Sequence, residues 1–245
     1  MDVFLIVTAV ALGGFLKGLN GFGYALVSTS ILVTFLPPEQ AVSIMIIPLI
    51  TANIELATEV NFQEIKNCLR NFSGLITSLL IGVTTAMLVI DKLPQDLLRK
   101  IVGLLAVLYV ASNTPFFREF FGKIKNFCFK TWEPAIGLLS GIVYGSSNVA
   151  LPIVTYLKSR NLRERKFRSM LALTILLVSV YRIVIAVSLG MYQSSSSILL
   201  SVLVAFPGAV AVLIGRKTTE FIPRKITSNI ALLLIALIGL RLLFS

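Results

Sequence analysis

Pro134-Ala-Ile-Gly137-Leu-Leu-Ser140-Gly141-Ile-Val-Tyr144-Gly145-Ser146-Ser147-Asn148-Val-Ala-Leu-Pro152-Ile-Val-Thr-Tyr-Leu157 is an apolar stretch of 24 residues between two basic connections. Residues 116–131 hold four Lys/Arg and residues 158–168 hold six. Basic connections of membrane proteins collect on the cytoplasmic side, so the two flanks share a side only if the stretch enters the membrane and returns. It is too short for two crossings, since one takes about 20 residues. Gly145-Ser146-Ser147-Asn148, at its middle, is poor helix material. The stretch therefore reads as a broken, re-entrant helical hairpin. Val3–Leu36 has the same anatomy around Lys17-Gly18-Leu19-Asn20-Gly21-Phe22-Gly23.

Composition supplies the membrane. Of 245 residues, 56% are hydrophobic and 13% charged, an excess that a soluble domain of this size does not need. Eight apolar segments follow: Val3–Leu36, Ala41–Thr58, Phe72–Ile90, Ile101–Pro115, Pro134–Leu157, Ser169–Gly190, Ile198–Gly215 and Ile226–Leu243. Asp2 stands where a cleaved signal would carry positive charge, and the apolar run continues past a signal's length, so no cleavage is expected.

Landmarks of the first half recur in order in the second. Gly14 and Gly18 answer to Gly137 and Gly141, Ala41-Val42-Ser43 to Phe167-Arg168-Ser169, Gly82 to Gly208, and Arg99-Lys100 to Arg224-Lys225. The expected fold is an all-α integral membrane protein of two repeats, residues 1–117 and 133–245, joined by a cytoplasmic connection, 118–132. Each repeat has four apolar segments, the first of them a broken hairpin. With both hairpins returning, the connections 59–71, 116–131, 158–168 and 216–225 hold 16 Lys/Arg, against four on the other side. With single crossings the split is 13 to 7. The hairpin reading fits the orientation rule better, with a discontinuous single crossing as its alternative; it leaves three crossings per half, so the second half enters inverted and both termini lie outside. Inverted repeats are the architecture of alternating-access transporters.

The net charge of +11 is spread over connections that the orientation rule explains, which argues against nucleic-acid binding. There is no histidine, and the only cysteines, Cys68 and Cys128, lie in polar connections without paired spacing, so no metal, cofactor or catalytic residue is expected. Phe62–Phe72 and Phe116–Trp132 read as amphipathic stretches lying on the cytoplasmic surface.

Functional residues are expected at the two breaks. Backbone that leaves a helix at membrane depth must face protein or a watery cavity, and helix ends with exposed N–H groups suit anions. Asn20, Gly21, Gly23, Tyr24 and Ser28 at the first break, with Thr29 and Ser30 beyond, face Tyr144, Gly145, Ser146, Ser147 and Asn148 at the second as candidate ligands of a substrate. Small residues also serve close helix packing, so part of this set is structural. Arg182 stands alone in an otherwise uncharged helix, where a charge costs at least a few kcal/mol. It is the candidate anion-binding cation, or else the partner of a buried ion pair with Glu55, the candidate coupling residue. Lys17 is a second candidate, with snorkelling to the interface as its alternative. Pro48 and Pro207 are expected to kink their helices, Pro48 also opening carbonyls near Thr51 and Asn53.

The chain resembles the sulfite exporter TauE/SafE family of permeases. The resemblance rests on Gly14-Phe-Leu-Lys-Gly18-Leu-Asn-Gly21-Phe-Gly23, on Leu36-Pro37-Pro38-Glu39-Gln40-Ala41-Val42, and on Gly137-Leu-Leu-Ser-Gly141 with Gly145 and Pro152. It implies transport of a small anion such as sulfite, a sulfonate or sulfoacetate across the prokaryotic inner membrane. The family's glycine run is here Gly23-Tyr24-Ala25, its following proline is Ser28 or Thr29, and the second half has Ser146-Ser147-Asn148. Bulky Tyr24 implies a different pocket. The expectation is an alternating-access carrier of an anion coupled to protons or sodium, a monomer or homodimer in the lipid bilayer. An anion channel is the alternative; an enzyme would have Glu55 as its sole intramembrane carboxylate, and an insertase-like or purely structural bundle would tolerate loss of Arg182, Asn20 and Asn148.

Overall fold

The computed structural model describes residues 3–20, 23–58, 62–112, 114, 132–160, 164–190, 195–218 and 224–244. In the first half the helices are α1 (Val3–Asn20), α2 (Tyr24–Val33), α3 (Pro38–Ile44), α4 (Ile46–Thr58), α5 (Phe62–Asn71), α6 (Ser73–Val89) and α7 (Gln95–Ser112). In the second they are α8 (Glu133–Ser147), α9 (Leu151–Ser159), α10 (Glu164–Ser188), α11 (Ser195–Thr218) and α12 (Arg224–Phe244). Among the described residues all regular structure is helical.

Both expected breaks are present. Gly23 takes a left-handed conformation (φ 95°) as it caps α2, and Asn148 does so (φ 61°) as α8 ends. Gly21 and Phe22 lie outside the described residues. After the first break the chain folds back, because Ser28 Oγ on α2 donates to the Ala9 carbonyl on α1 at 3.1 Å. At 1.5 Å per residue, a single crossing would hold these two positions nearly 30 Å apart. At the second break Tyr156, near the end of α9, faces Glu133 at the start of α8.

Glycine decides which helices meet. α1 packs on α11, and α8 packs on α6. A Cβ on Gly18 would strike the Val212 carbonyl, with Gly215 Cα and Arg216 N within 3 Å; one on Gly141 would strike the Leu79 carbonyl, with Gly82 Cα and Val83 N equally close. Gly14 meets the Gly208 carbonyl as Gly137 meets that of Leu75. The two interfaces thus match closely at Gly18 and Gly141, and Gly215, not Gly208, does in α11 what Gly82 does in α6. The sequence pairing of Gly82 with Gly208 is off by seven residues, which is two turns and nearly the same helix face. α7 meets α12 where Gly103 and Gly239 approach each other's carbonyls, and α4 meets α10. Exchanging the two halves leaves this set of pairings unchanged.

Segment Ala41–Thr58 is interrupted at Met45, between α3 and α4. The cause lies three residues on, since Pro48 has no N–H and its ring crowds the carbonyl of residue 44. The Ile44 carbonyl accepts instead from Ser201 Oγ of α11 at 2.7 Å. Ser201→Ala leaves that buried carbonyl unpaired, at about 1 to 2 kcal/mol. Pro48→Ala supplies an N–H in its place, so the second substitution costs less once the first is made. Thermal unfolding of the two single variants and the double variant checks this, and additive losses would overturn it.

The outer surface is apolar, with Phe4, Ile81, Val184, Leu203, Phe206, Leu213, Leu233 and Leu237 all exposed. Continuous apolar surface of this kind suits lipid. Met170–Ser188 and Ile198–Thr218 are each long and apolar enough to cross a membrane, and Val3–Leu19, Ser73–Val89 and Ser228–Phe244 are shorter apolar helices. α5 turns Ile65 toward the core and leaves Lys66 and Arg70 exposed, as its amphipathic sequence requires. Residues 115–131, the bulk of the connection between the halves, lie outside the described residues.

Candidate functional site

The second break is built by its own serines. An α-helix ends with carbonyls that lack a partner, and Asn tolerates the left-handed turn that stops it. Asn148 N–H donates to the Tyr144 carbonyl at 2.9 Å. Ser147 Oγ donates to the Val143 carbonyl (2.6 Å) and accepts from the Val149 N–H (3.2 Å), while Ser146 Oγ donates to the Ile142 carbonyl (2.8 Å). These hydroxyls stabilise the turn. With Val149 N–H bound to Ser147, the Gly145 carbonyl is open to another donor.

That donor is Arg182. It lies on α10, wholly buried at 0% exposure, and its Nη2 reaches the Gly145 carbonyl at 3.4 Å. Its Nη1 donates to Asn148 Oδ1 at 2.5 Å, and its guanidinium carbon lies 5.2 Å from the centre of the Tyr144 ring. Tyr144 is fixed in turn by a 2.9 Å bond between its hydroxyl and Ser179 Oγ, one turn before Arg182 on α10. The carbonyl end of α8 carries the negative end of the helix dipole, and the ring adds a cation–π attraction. Two neutral oxygens and a ring face thus hold the guanidinium in a defined orientation.

The Asn148 amide reaches in the other direction as well. Its Nδ2 donates to Thr29 Oγ1 of α2 and to the Val42 carbonyl of α3, both at 3.2 Å. The second break, the first hairpin and the interrupted segment of the first half therefore meet at one side chain.

Lys17 forms a second group. It is 6% exposed, so its ammonium is turned inward and does not snorkel. Nζ donates to the Ala52 carbonyl (2.7 Å) and to Asn53 Oδ1 (2.8 Å) of α4, and lies 6.0 Å from the centre of the Tyr24 ring. Asn53 is itself held by the Leu49 carbonyl at 2.7 Å. Tyr24 is buried with its hydroxyl against Gly208, where a side chain on α11 would leave it no room.

Arg182, Tyr144, Gly145 and Asn148 are thus in one cluster with Thr29, and Lys17 and Tyr24 are in another with Asn53. Gly23 shapes the first turn, and Ser28 ties α2 to α1. The side chains of Asn20 and Glu55, and Gly21 entirely, lie outside the described residues; the Glu55 backbone belongs to α4, which packs on α10. Ser179 and the Val42 carbonyl escaped the sequence reading. Ser179 had one available signal, its place three residues before Arg182 on the same helix face. Among the described residues no group of three or more His, Cys, Asp or Glu could hold a metal ion.

No curated protein matches the chain, and no solved structure matches it. The family model described as sulfite exporter TauE/SafE matches residues 5–242, nearly the whole length. With a helical bundle apolar on its outside and charged within, the chain belongs to the sulfite exporter TauE/SafE family of integral membrane transporters.

Proposed function

We propose that the protein is a secondary transporter that moves a small anion, sulfur-containing or organic, across the prokaryotic inner membrane by alternating access. The observation that carries this reading is Arg182, a permanent positive charge with no exposure, held at the meeting point of both broken segments. A planar guanidinium recognises sulfur oxyanions and carboxylates through paired hydrogen bonds. Nothing apolar would justify its burial, because a charge inside a membrane is costly.

The helix pairings support an inverted repeat. The first helix of each hairpin rides on the opposite half, α1 on α11 and α8 on α6. Two units so assembled rock against each other along α4–α10 and α7–α12, with the Arg182 cluster between them. The fold-back of α2 on α1 and of α9 on α8 supports hairpins that return to their own side. Glu55, on the helix facing Arg182's, is the candidate for coupling to protons.

The test is ligand-dependent stability of the purified protein against sulfite, sulfate, thiosulfate, sulfoacetate, taurine and simple carboxylates. A ligand that binds only the folded state, at about one hundred times its Kd, adds roughly 2.7 kcal/mol, which is several degrees in Tm. The anion that does so is then followed in proteoliposomes, where a carrier shows saturable uptake and counterflow. An absence of any shift across the panel overturns the substrate class; flux that never saturates overturns the carrier in favour of a channel.

A further inference from the structure

We propose that Asn148 is a positioning residue rather than a ligand of the anion, and that it makes the orientation of Arg182 depend on contact between the two halves. This inference rests on the reading of Arg182 as the anion site. The Asn148 side chain is 0% exposed and offers one oxygen acceptor and two amide hydrogens. The oxygen accepts from Arg182 Nη1, and the amide donates to Thr29 Oγ1 and to the Val42 carbonyl. With the hydrogens directed at first-half acceptors and the oxygen at the guanidinium, the amide is engaged on both sides and has no donor left for a substrate.

The consequence is directional. The amide of Asn148 is planar, so the two acceptors on α2 and α3 fix the plane in which its oxygen meets Arg182. When α2 and α3 move away from the second break together, those two bonds are lost and the oxygen is no longer aimed. Arg182 then loses its bond to the aimed oxygen, while the Gly145 carbonyl and the Tyr144 ring stay beside it. The guanidinium is therefore ordered while the halves are clasped and loosened when they part, which ties the anion's affinity to the state of the bundle.

Two substitutions isolate the clasp. Asn148→Gly keeps the left-handed backbone, which glycine adopts without strain, and removes the amide. Thr29→Val keeps the shape of the side chain and removes the acceptor, and Thr29→Ser restores it. The readout is the rate at which phenylglyoxal modifies Arg182, followed by peptide mass spectrometry, with exposed Arg241 in the same molecule as the reference. Loss of one hydrogen bond predicts a rate at Arg182 raised roughly fivefold in Thr29→Val and more in Asn148→Gly, unchanged at Arg241, and near the wild-type value in Thr29→Ser. A wild-type rate at Arg182 in both Asn148→Gly and Thr29→Val overturns the proposal. So does an increase that Thr29→Ser fails to reverse, since that marks general loosening. The rate needs no transported ligand, so failure of the anion panel would sink the transport reading while this result still decides the clasp.

Discussion

Arg182→Ala protein is expected to lose the rise in melting temperature that the recognised anion gives the wild type, and anion flux is expected to fall about one hundredfold or more. Hydrogen bonds to a charged group contribute roughly 1.5 to 3 kcal/mol each, and a guanidinium holds an oxyanion through two of them, so at about 1.4 kcal/mol per factor of ten a hundredfold loss is the lower end. Arg182→Lys separates charge from shape. It keeps the positive charge, but an ammonium on a flexible stem cannot span the Asn148 oxygen and the Gly145 carbonyl as the fork does; an intermediate loss of about tenfold is expected. The unliganded stability of Arg182→Ala should change much less than its function. The substitution strands the Asn148 oxygen and the Gly145 carbonyl, but it also removes a charge whose burial is costly. Ligand-dependent melting of the three proteins side by side is the measurement. An undiminished anion shift in Arg182→Ala would return the arginine to a structural place at the carbonyl end of α8, with Glu55 the partner to examine next.

The parts of this site that the sequence disclosed are those that break a local rule. A lone arginine in an uncharged helix and a Gly-Ser-Ser-Asn run inside an apolar stretch conflict with their surroundings, and such conflicts mark functional or strained positions. The structure brings Arg182 together with Gly145 and Asn148 accordingly. Contacts between residues that break no rule were not legible. Nothing in Val42 announces that its carbonyl faces Asn148, because that depends on how α3 docks across the other half. Lys17 was recognisable as a charge, but whether it runs out to the interface or in to Asn53 is decided by where the fold sets the Ala52 carbonyl and Asn53 of α4, which periodicity does not contain. The interruption at Met45 shows the same limit on a smaller scale. Pro48 is visible in the sequence, yet its effect falls four residues earlier, and the rescue of the Ile44 carbonyl by Ser201 comes from 157 positions away.

The glycines that the sequence pairs across the two halves lie at close helix contacts, and glycine gives the other large effect. Gly18→Leu and Gly141→Leu are each expected to abolish the folded protein, read as loss of a monodisperse peak in detergent and of a cooperative thermal transition. The reason lies in backbone, not side chains. At both positions the added carbon would meet a carbonyl oxygen, a glycine Cα and a backbone N of the facing helix, none of which can turn aside as a side chain can. Overpacking a core against movable neighbours already costs about 1 to 3 kcal/mol, so collision with a rigid helix costs more, against a total stability of roughly 5 to 15 kcal/mol. Gly18→Ala and Gly141→Ala are expected to be milder and, because their surroundings match contact for contact, alike in size. Gly74→Ala is the control. No atom lies within 4 Å of its new carbon, and alanine is the better helix former by roughly 0.5 to 1 kcal/mol, so its Tm should hold or rise. If Gly18→Ala proves costly and Gly141→Ala harmless, the two interfaces are not equivalent and the hairpins do not ride on opposite halves in the same way. If both are harmless, α1–α11 and α6–α8 have room to separate, and the rigid units of the proposed rocking motion must be drawn elsewhere in the bundle.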